Sequence, residues 1–357
     1  MSKKTVWIGV DVGKSFCVAA IDMPGIEGRC PRCKVTELPS FEFDNTLSGL
    51  KKMLRWADKL CKAYLTQNEL AEDTVELRLI MESTGIYSRN LERFILETRP
   101  ELQPVIENAT ILRSYRQSLN LKNETDFLDA KGIAYYGGDR QPEARQRSAG
   151  FYQTLAEMCR MRNFYSVQLT AYKNMHESLN EPMLKRMDTS VIQVLKTKIE
   201  ELTSEIKKFV NEHEELRQQM NIMITMPGIA ILSAAILLGE LGSFKDFSSR
   251  NEIGAFCGLN PMRKDSGTSI RKSRLSKKGS ALARKILYMN STRAVQLDPY
   301  LKAFYDRLIS NGKRPKTARC ACMRKLLTIL RSMVANNQPY NQQYFFQKKT
   351  EKTIKTA

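Results

Sequence analysis

The sequence is poor in histidine: His176 and His213 are the only two in 357 residues. That scarcity argues against a histidine-based nuclease, and a lone Cys30-Pro31-Arg32-Cys33 would need two further ligands to hold zinc. A cysteine-bearing hairpin is the alternative reading of that segment. No run of about 18 apolar residues occurs, which excludes an ordinary membrane-spanning helix. Met1 to Lys4 lead directly into a strand-like segment, without the apolar stretch and cleavage site of a secretory signal. A cytoplasmic protein is expected, and eight scattered cysteines then read as free thiols.

Acidic residues are also scarce, but only in one place. Residues 1–150 carry 22 Lys+Arg against 21 Asp+Glu, and residues 151–259 carry 12 against 13. Residues 260–331 carry 19 against 3, a net charge of +16 in a chain whose total is +19. Charge so segregated implies a polyanionic partner, because clustered Lys and Arg release condensed counterions from phosphate backbones. The candidate contacts are Arg263, Lys264, Arg271, Lys272, Arg274, Lys277 and Lys278. No amphipathic anchor accompanies them, so a membrane is not the expected partner.

The first part alternates strand and helix signals. Strands are predicted at Val6–Val12, Phe16–Met23, Val35–Phe43, Glu76–Met81 and Gln103–Ile106, and helices at Asn45–Ala63, Tyr87–Leu96 and Asp126–Tyr136. Asp44 or Asn45 would cap the first helix. Three strands, then helix, strand, helix, strand, helix is a ribonuclease-H-like order. In the middle, Leu195, Ile199, Leu202, Ile206, Phe209, His213, Leu216, Met220 and Met223 form an unbroken a/d seam. Met158, Met161, Tyr165, Gln168, Tyr172, Met175 and Leu179 form a weaker one. A helical hairpin, an intermolecular coiled coil and two core helices all fit. After Met226-Pro227-Gly228-Ile229 come helices at Ala230–Leu241, Ser280–Ala294 and Lys316–Ala335. The fold class expected is α/β plus α. An N-terminal domain spans 1–148, a coiled-coil helical region 149–222, a mainly helical C-terminal domain 223–345 and a basic tail 346–357.

Four acids could work together. Asp11 ends the first strand, Glu82 follows the fourth, and Asp126 and Asp129 share a helix face. If the first and fourth strands are neighbours, these oxygens suit Mg²⁺ or Mn²⁺, although Asp126 could merely cap its helix. Ser266, in a Gly-containing loop of the basic block, is a candidate nucleophile, and Ser280 looks equally good on composition.

The pieces Ile8-Gly9-Val10-Asp11, Met81-Glu82-Ser83-Thr84-Gly85-Ile86-Tyr87 and Asn123-Glu124-Thr125-Asp126-Phe127-Leu128-Asp129-Ala130 occur in order. Met226-Pro227-Gly228-Ile229, Ser266-Gly267-Thr268-Ser269 and Arg274-Leu275-Ser276-Lys277 follow them. Together they resemble the DEDD-type insertion-sequence transposases, insertion-sequence family one-hundred-and-ten, whose members are bridge-RNA-guided recombinases. The resemblance implies a RuvC-like domain, a coiled coil and a transposase domain. It implies that Asp11, Glu82, Asp126 and Asp129 bind the metal and that Ser266 attacks DNA to form a covalent phosphoserine. It further implies donor and target DNA and a structured bridge RNA as partners, and a homo-oligomer, a dimer assembling to a tetramer, at the nucleoid. The segment between Asp11 and Glu82 is longer than the family's pattern. A RuvC-like structure-selective nuclease would need the acids but no serine; a non-catalytic RNA-binding scaffold would need neither.

Overall fold

A computed structural model describes the chain apart from residues 1–3, 24–34, 72–73, 122, 124, 144–149, 267–269, 278 and 344–357; of residues 86 and 262–274 only the backbone is described. Cys30, Cys33 and Lys278 therefore lie outside the described residues or side chains. The chain divides into two compact units, residues 1–145 and 146–357. No described helix is long and apolar enough to cross a membrane.

The first unit is a five-stranded mixed sheet. Its strands are β1 (Lys4–Val12), β2 (Phe16–Asp22), β3 (Ser40–Asp44), β4 (Val75–Glu82) and β5 (Val105–Glu107), in the order β3-β2-β1-β4-β5. The first three pair antiparallel, while β4 lies parallel to β1 and β5 parallel to β4. Residues Val6 to Val10 of β1 are buried without alternation, as expected of a central strand covered on both faces. Helices α1 (Leu47–Gln67) and α2 (Ile86–Thr98) supply one covering layer: Leu50, Met53, Leu54, Leu91 and Ile95 pack with Ile8, Val10, Leu79 and Met81. Helices α3 (Ala109–Ser118) and α4 (Asp126–Arg140) cover the other, where Leu112 and Ile133 meet Trp7 and Ile80.

Two local readings change. The third strand begins at Ser40 rather than Val35, because residues 35–37 make a helical turn. Thr46, not Asp44 or Asn45, caps α1, its hydroxyl accepting from the Gly49 amide at 3.1 Å.

In the second unit, α5 (Gly150–Ser178) and α6 (Pro182–Glu212) pack as an intrachain helical hairpin, joined by Arg162 Nε donating to Thr203 Oγ1 at 2.7 Å. The seam is not continuous. His213 ends α6 and starts α7 (Glu214–Met223), and its Nδ1 bonds to the Phe209 carbonyl oxygen at 2.8 Å. Next come α8 (Ile231–Leu241), α9 (Arg250–Phe256), the antiparallel hairpin β6 (Pro261–Ser266) and β7 (Ile270–Leu275), α10 (Ala281–Leu297), α11 (Pro299–Ser310) and α12 (Pro315–Ala335). One core unites Leu155, Ile206, Val210, Leu216, Leu237, Leu287 and Leu327, so the hairpin base belongs to the same packed body as the later helices. The described cysteines are free thiols; Cys17, Cys159, Cys257 and Cys322 are buried.

Candidate functional site

Asp11 is the next-to-last residue of β1 and Glu82 the last of β4. The strands run parallel with Val10 opposite Met81, so both carboxylates leave the same end of the sheet. Their meeting depends on sheet order, as the sequence reading required. The second pair arrives through α4, whose approach is set by Gly9. A Cβ added there would come within 2.1 Å of Ala134 N and 2.6 Å of the Ala130 carbonyl oxygen. Any side chain at position 9 would push the helix off the strand that carries Asp11.

Thr125, not Asp126, caps α4: its Oγ1 accepts from the Leu128 amide at 3.3 Å. Asp126 and Asp129 therefore stand free of capping duty in the first turn of the helix, where the helix dipole favours negative charge. Capping does not account for Asp126.

A cavity of about 290 Å³ opens between these elements, lined by Asp11, Glu82 and Asp129 on one side and by Arg113 and Arg116 of α3 on another. Asp126 is exposed and outside that lining, although its charge reaches Asp11. Burial, then Asp129, Asp126 and Glu82, push the Asp11 carboxyl up to about 7, against the pull of Arg116. Burial and Asp129 also raise Glu82, opposed by Arg113 and Arg116. Crowded carboxylates with raised proton affinity are what a divalent cation would relieve, and an all-oxygen donor set suits a hard ion. Among the described residues, however, no three acids stand close enough to share one ion as placed. The donor chemistry fits a metal; the gathering is incomplete.

The arginines were missed in the sequence because the helix carrying them was missed. Its signal was present: Asn108 caps α3 by accepting from the Thr110 amide at 2.9 Å, and Arg113 and Arg116 sit three apart behind that cap.

Ser266 is not in a loop but closes β6, opposite Ile270. Arg263, Lys264, Arg271, Lys272 and Arg274 belong to the same two strands, with Lys264 directly opposite Lys272, and exposed Lys277 follows at a positive φ of 55°. A run of alternating charge and Ser/Met reads as a basic loop, so strand pairing here was not legible. The rival Ser280 caps α10, its Oγ accepting from the Ala283 amide at 3.1 Å. His176 pairs with buried Asp188 at 3.0 Å and joins α5 to α6.

Residues 220–306 match the model of the Transposase IS116/IS110/IS902 family. The chain is 28% identical over 271 residues, 75% of its length and 83% of the relative's, to the pilin gene-inverting protein of Moraxella bovis. It is 30% identical over 109 residues, 30% of its length and 31% of the relative's, to the transposase for insertion sequence element IS1328 of Yersinia enterocolitica. An uncharacterized 43.6 kDa protein of insertion element IS110 from Streptomyces coelicolor matches over 144 residues at 24% identity, 40% of this chain and 36% of that one. By these matches the chain is similar to transposases of the IS110/IS116 type.

Proposed function

We propose that this protein cuts and rejoins donor and target DNA through a covalent phosphoserine at Ser266, aided by a carboxylate-held divalent cation and guided by a structured RNA. The observation that carries the DNA-processing reading is the cavity of the first unit, where Asp11, Glu82 and Asp129 from three elements face two arginines. The antiparallel β1-β2-β3 run followed by parallel β4 and β5 supports a RuvC-like reading of that unit. The Moraxella relative is named for inverting a gene, which is a rearrangement and not simple cleavage.

Asp11, Glu82, Asp126 and Asp129 would hold Mg²⁺ or Mn²⁺, which when bound supplies charge stabilisation for the attacking and departing oxygens. Ser266 Oγ would bond to the phosphorus as one ester oxygen of the DNA departs, the serine proton passing to solvent and the departing oxygen taking one up from it. One phosphodiester is exchanged for one phosphoserine ester of similar energy, so no ATP is consumed and the cut end stays attached until it is rejoined. Lys264 and Lys272 hold opposite register positions in a hairpin whose sequence is strongly basic, which suits a polyanionic partner. Those residues, with Arg263, Arg271, Arg274, Lys277 and Lys278, would grip DNA or the guide RNA.

The test is trapping a denaturation-resistant protein–DNA adduct with wild type, Ser266→Ala and Asp11→Ala, and sequencing RNA that copurifies. Adduct with wild type alone is expected. Cleavage by Ser266→Ala without any adduct in wild type would instead identify a RuvC-like nuclease.

A further inference from the structure

The cavity's two walls are oppositely charged, and Arg116 bridges them. Arg116 Nη1 is ion-paired to Asp129 Oδ1, and its Nη2 donates to the Asn123 carbonyl oxygen at 3.3 Å. The Arg116 side chain is only 12% exposed, yet its buried Nε has no hydrogen-bond partner among the described residues. Its stem crosses α4 at Gly132, where an added Cβ would lie 2.7 Å from Arg116 Cγ and 3.1 Å from Cδ. Arg113, one turn earlier, is exposed, lines the same cavity and makes no ion pair among the described residues. Ala109 and Thr110, from the N-terminal turn of α3, complete that wall.

We propose that Arg116 is a resident counter-cation: it holds Asp129 in the metal-free protein and exchanges that carboxylate for a DNA phosphate when the divalent ion binds. The proposal rests on the metal-site reading above and accounts for the incomplete gathering of the acids, since Asp129 already has a cation. A divalent ion and a guanidinium compete for one carboxylate, because two positive charges held against the same group repel each other. Once displaced, Arg116 remains anchored on α3 beside Arg113. Its planar fork matches two phosphate oxygens, and its unpartnered Nε gains an acceptor. Arg116 and Arg113 then hold the strand over the acids. Arg116 acts as a switchable positioning residue, and the space it needs is reserved by Gly132.

Mn²⁺ binding to the full chain, read from the spin-resonance signal of free Mn²⁺ without nucleic acid, tests the first half. Arg116→Gln should tighten binding about tenfold, because a competing charge is removed. Gly132→Ala should shift it in the same direction by displacing the stem, and it keeps the test available if Arg116→Gln does not fold. Anisotropy of a short DNA duplex tests the second half: Arg116→Gln should weaken DNA binding with Mn²⁺ present and leave it unchanged in chelator. Unchanged or weaker Mn²⁺ binding in the folded variants overturns the proposal, as does an equal loss of DNA affinity with and without Mn²⁺. Should wild type and Asp129→Asn take up Mn²⁺ identically, the metal-site reading fails and this one with it.

Discussion

Ser280 donates its hydroxyl hydrogen to Glu240 Oε2 at 2.5 Å while the same oxygen accepts from the Ala283 amide, so this serine is committed to both a helix start and a buried carboxylate. Glu240, with a side chain only 4% exposed, is held on its other oxygen by Arg160 Nε at 2.6 Å. Removing the hydroxyl takes a cap from α10 and one of two partners from Glu240. Ser280→Ala should therefore lower stability by about 1 kcal/mol or somewhat more in denaturant unfolding, yet still form the DNA adduct. Loss of the adduct in a folded Ser280→Ala would move the nucleophile away from Ser266.

The raised carboxyl of Asp11 makes the first unit sensitive to pH in a defined direction. Its folded value of about 7 lies above the ordinary 3.8, so the folded chain binds this proton more tightly than the unfolded one. The stabilisation is complete below about pH 4 and is lost as pH rises through about 7. In the absence of metal, melting temperature should fall across that window, and Asp11→Asn should flatten the fall. A cation that binds here must release the proton, so apparent Mg²⁺ affinity by calorimetry should climb up to about pH 7 and level off above it. Affinity independent of pH would remove Asp11 from the ligand set.

Neutralising Arg271, Lys272 and Arg274 together, all on β7, should reduce the steepness of log affinity against log salt for DNA by up to about 2.7, if each meets one phosphate. An unaltered slope, measured by filter binding across a salt series, would place the contact surface elsewhere.

The helical hairpin separates inner from outer apolar positions. Ile206 and Val210 are buried in the core, and Leu202 and Phe209 are half-buried, so Leu202→Ala with Phe209→Ala should cost stability and not association. Met183, Met187, Val191 and Val194 recur on one face of α6 and are exposed, Met183 by 70%. If self-association uses the hairpin, Met187→Asp with Val194→Asp should shift sedimentation toward the monomer and leave the melting temperature within a degree or two. An unchanged sedimentation profile would assign any oligomer to another surface.

Much of this was legible because period and position agreed. The buried run Val6 to Val10 and the amphipathic spacing Leu47, Leu50, Leu54 are strong local signals, and the placement of Asp11 and Glu82 at one end of the sheet followed from strand order alone. The rest depended on contacts that no window of sequence contains. Helix α3 is short and polar, and its one fully buried side chain is Leu112, so its pattern is faint. The β6–β7 hairpin lacks an apolar face in its sequence, Pro261 to Leu275, and is recognisable only by its pairing. The break at His213 interrupts an a/d repeat whose spacing continues on both sides, so periodicity could not reveal it. The role of Gly9 is visible only once Ala130 and Ala134 lie against it.

The buried thiols give each unit its own clock. Cys17 on β2 belongs to the first unit, and Cys159 and Cys257 to the second; burial pushes all three up to about 12, leaving almost no thiolate at neutral pH. A thiol reagent can then reach them only when the surrounding structure opens. The labelling rate at Cys17 would time the breathing of the acid-bearing sheet, and the rates at Cys159 and Cys257 that of the helical body, in the intact protein and without any introduced probe.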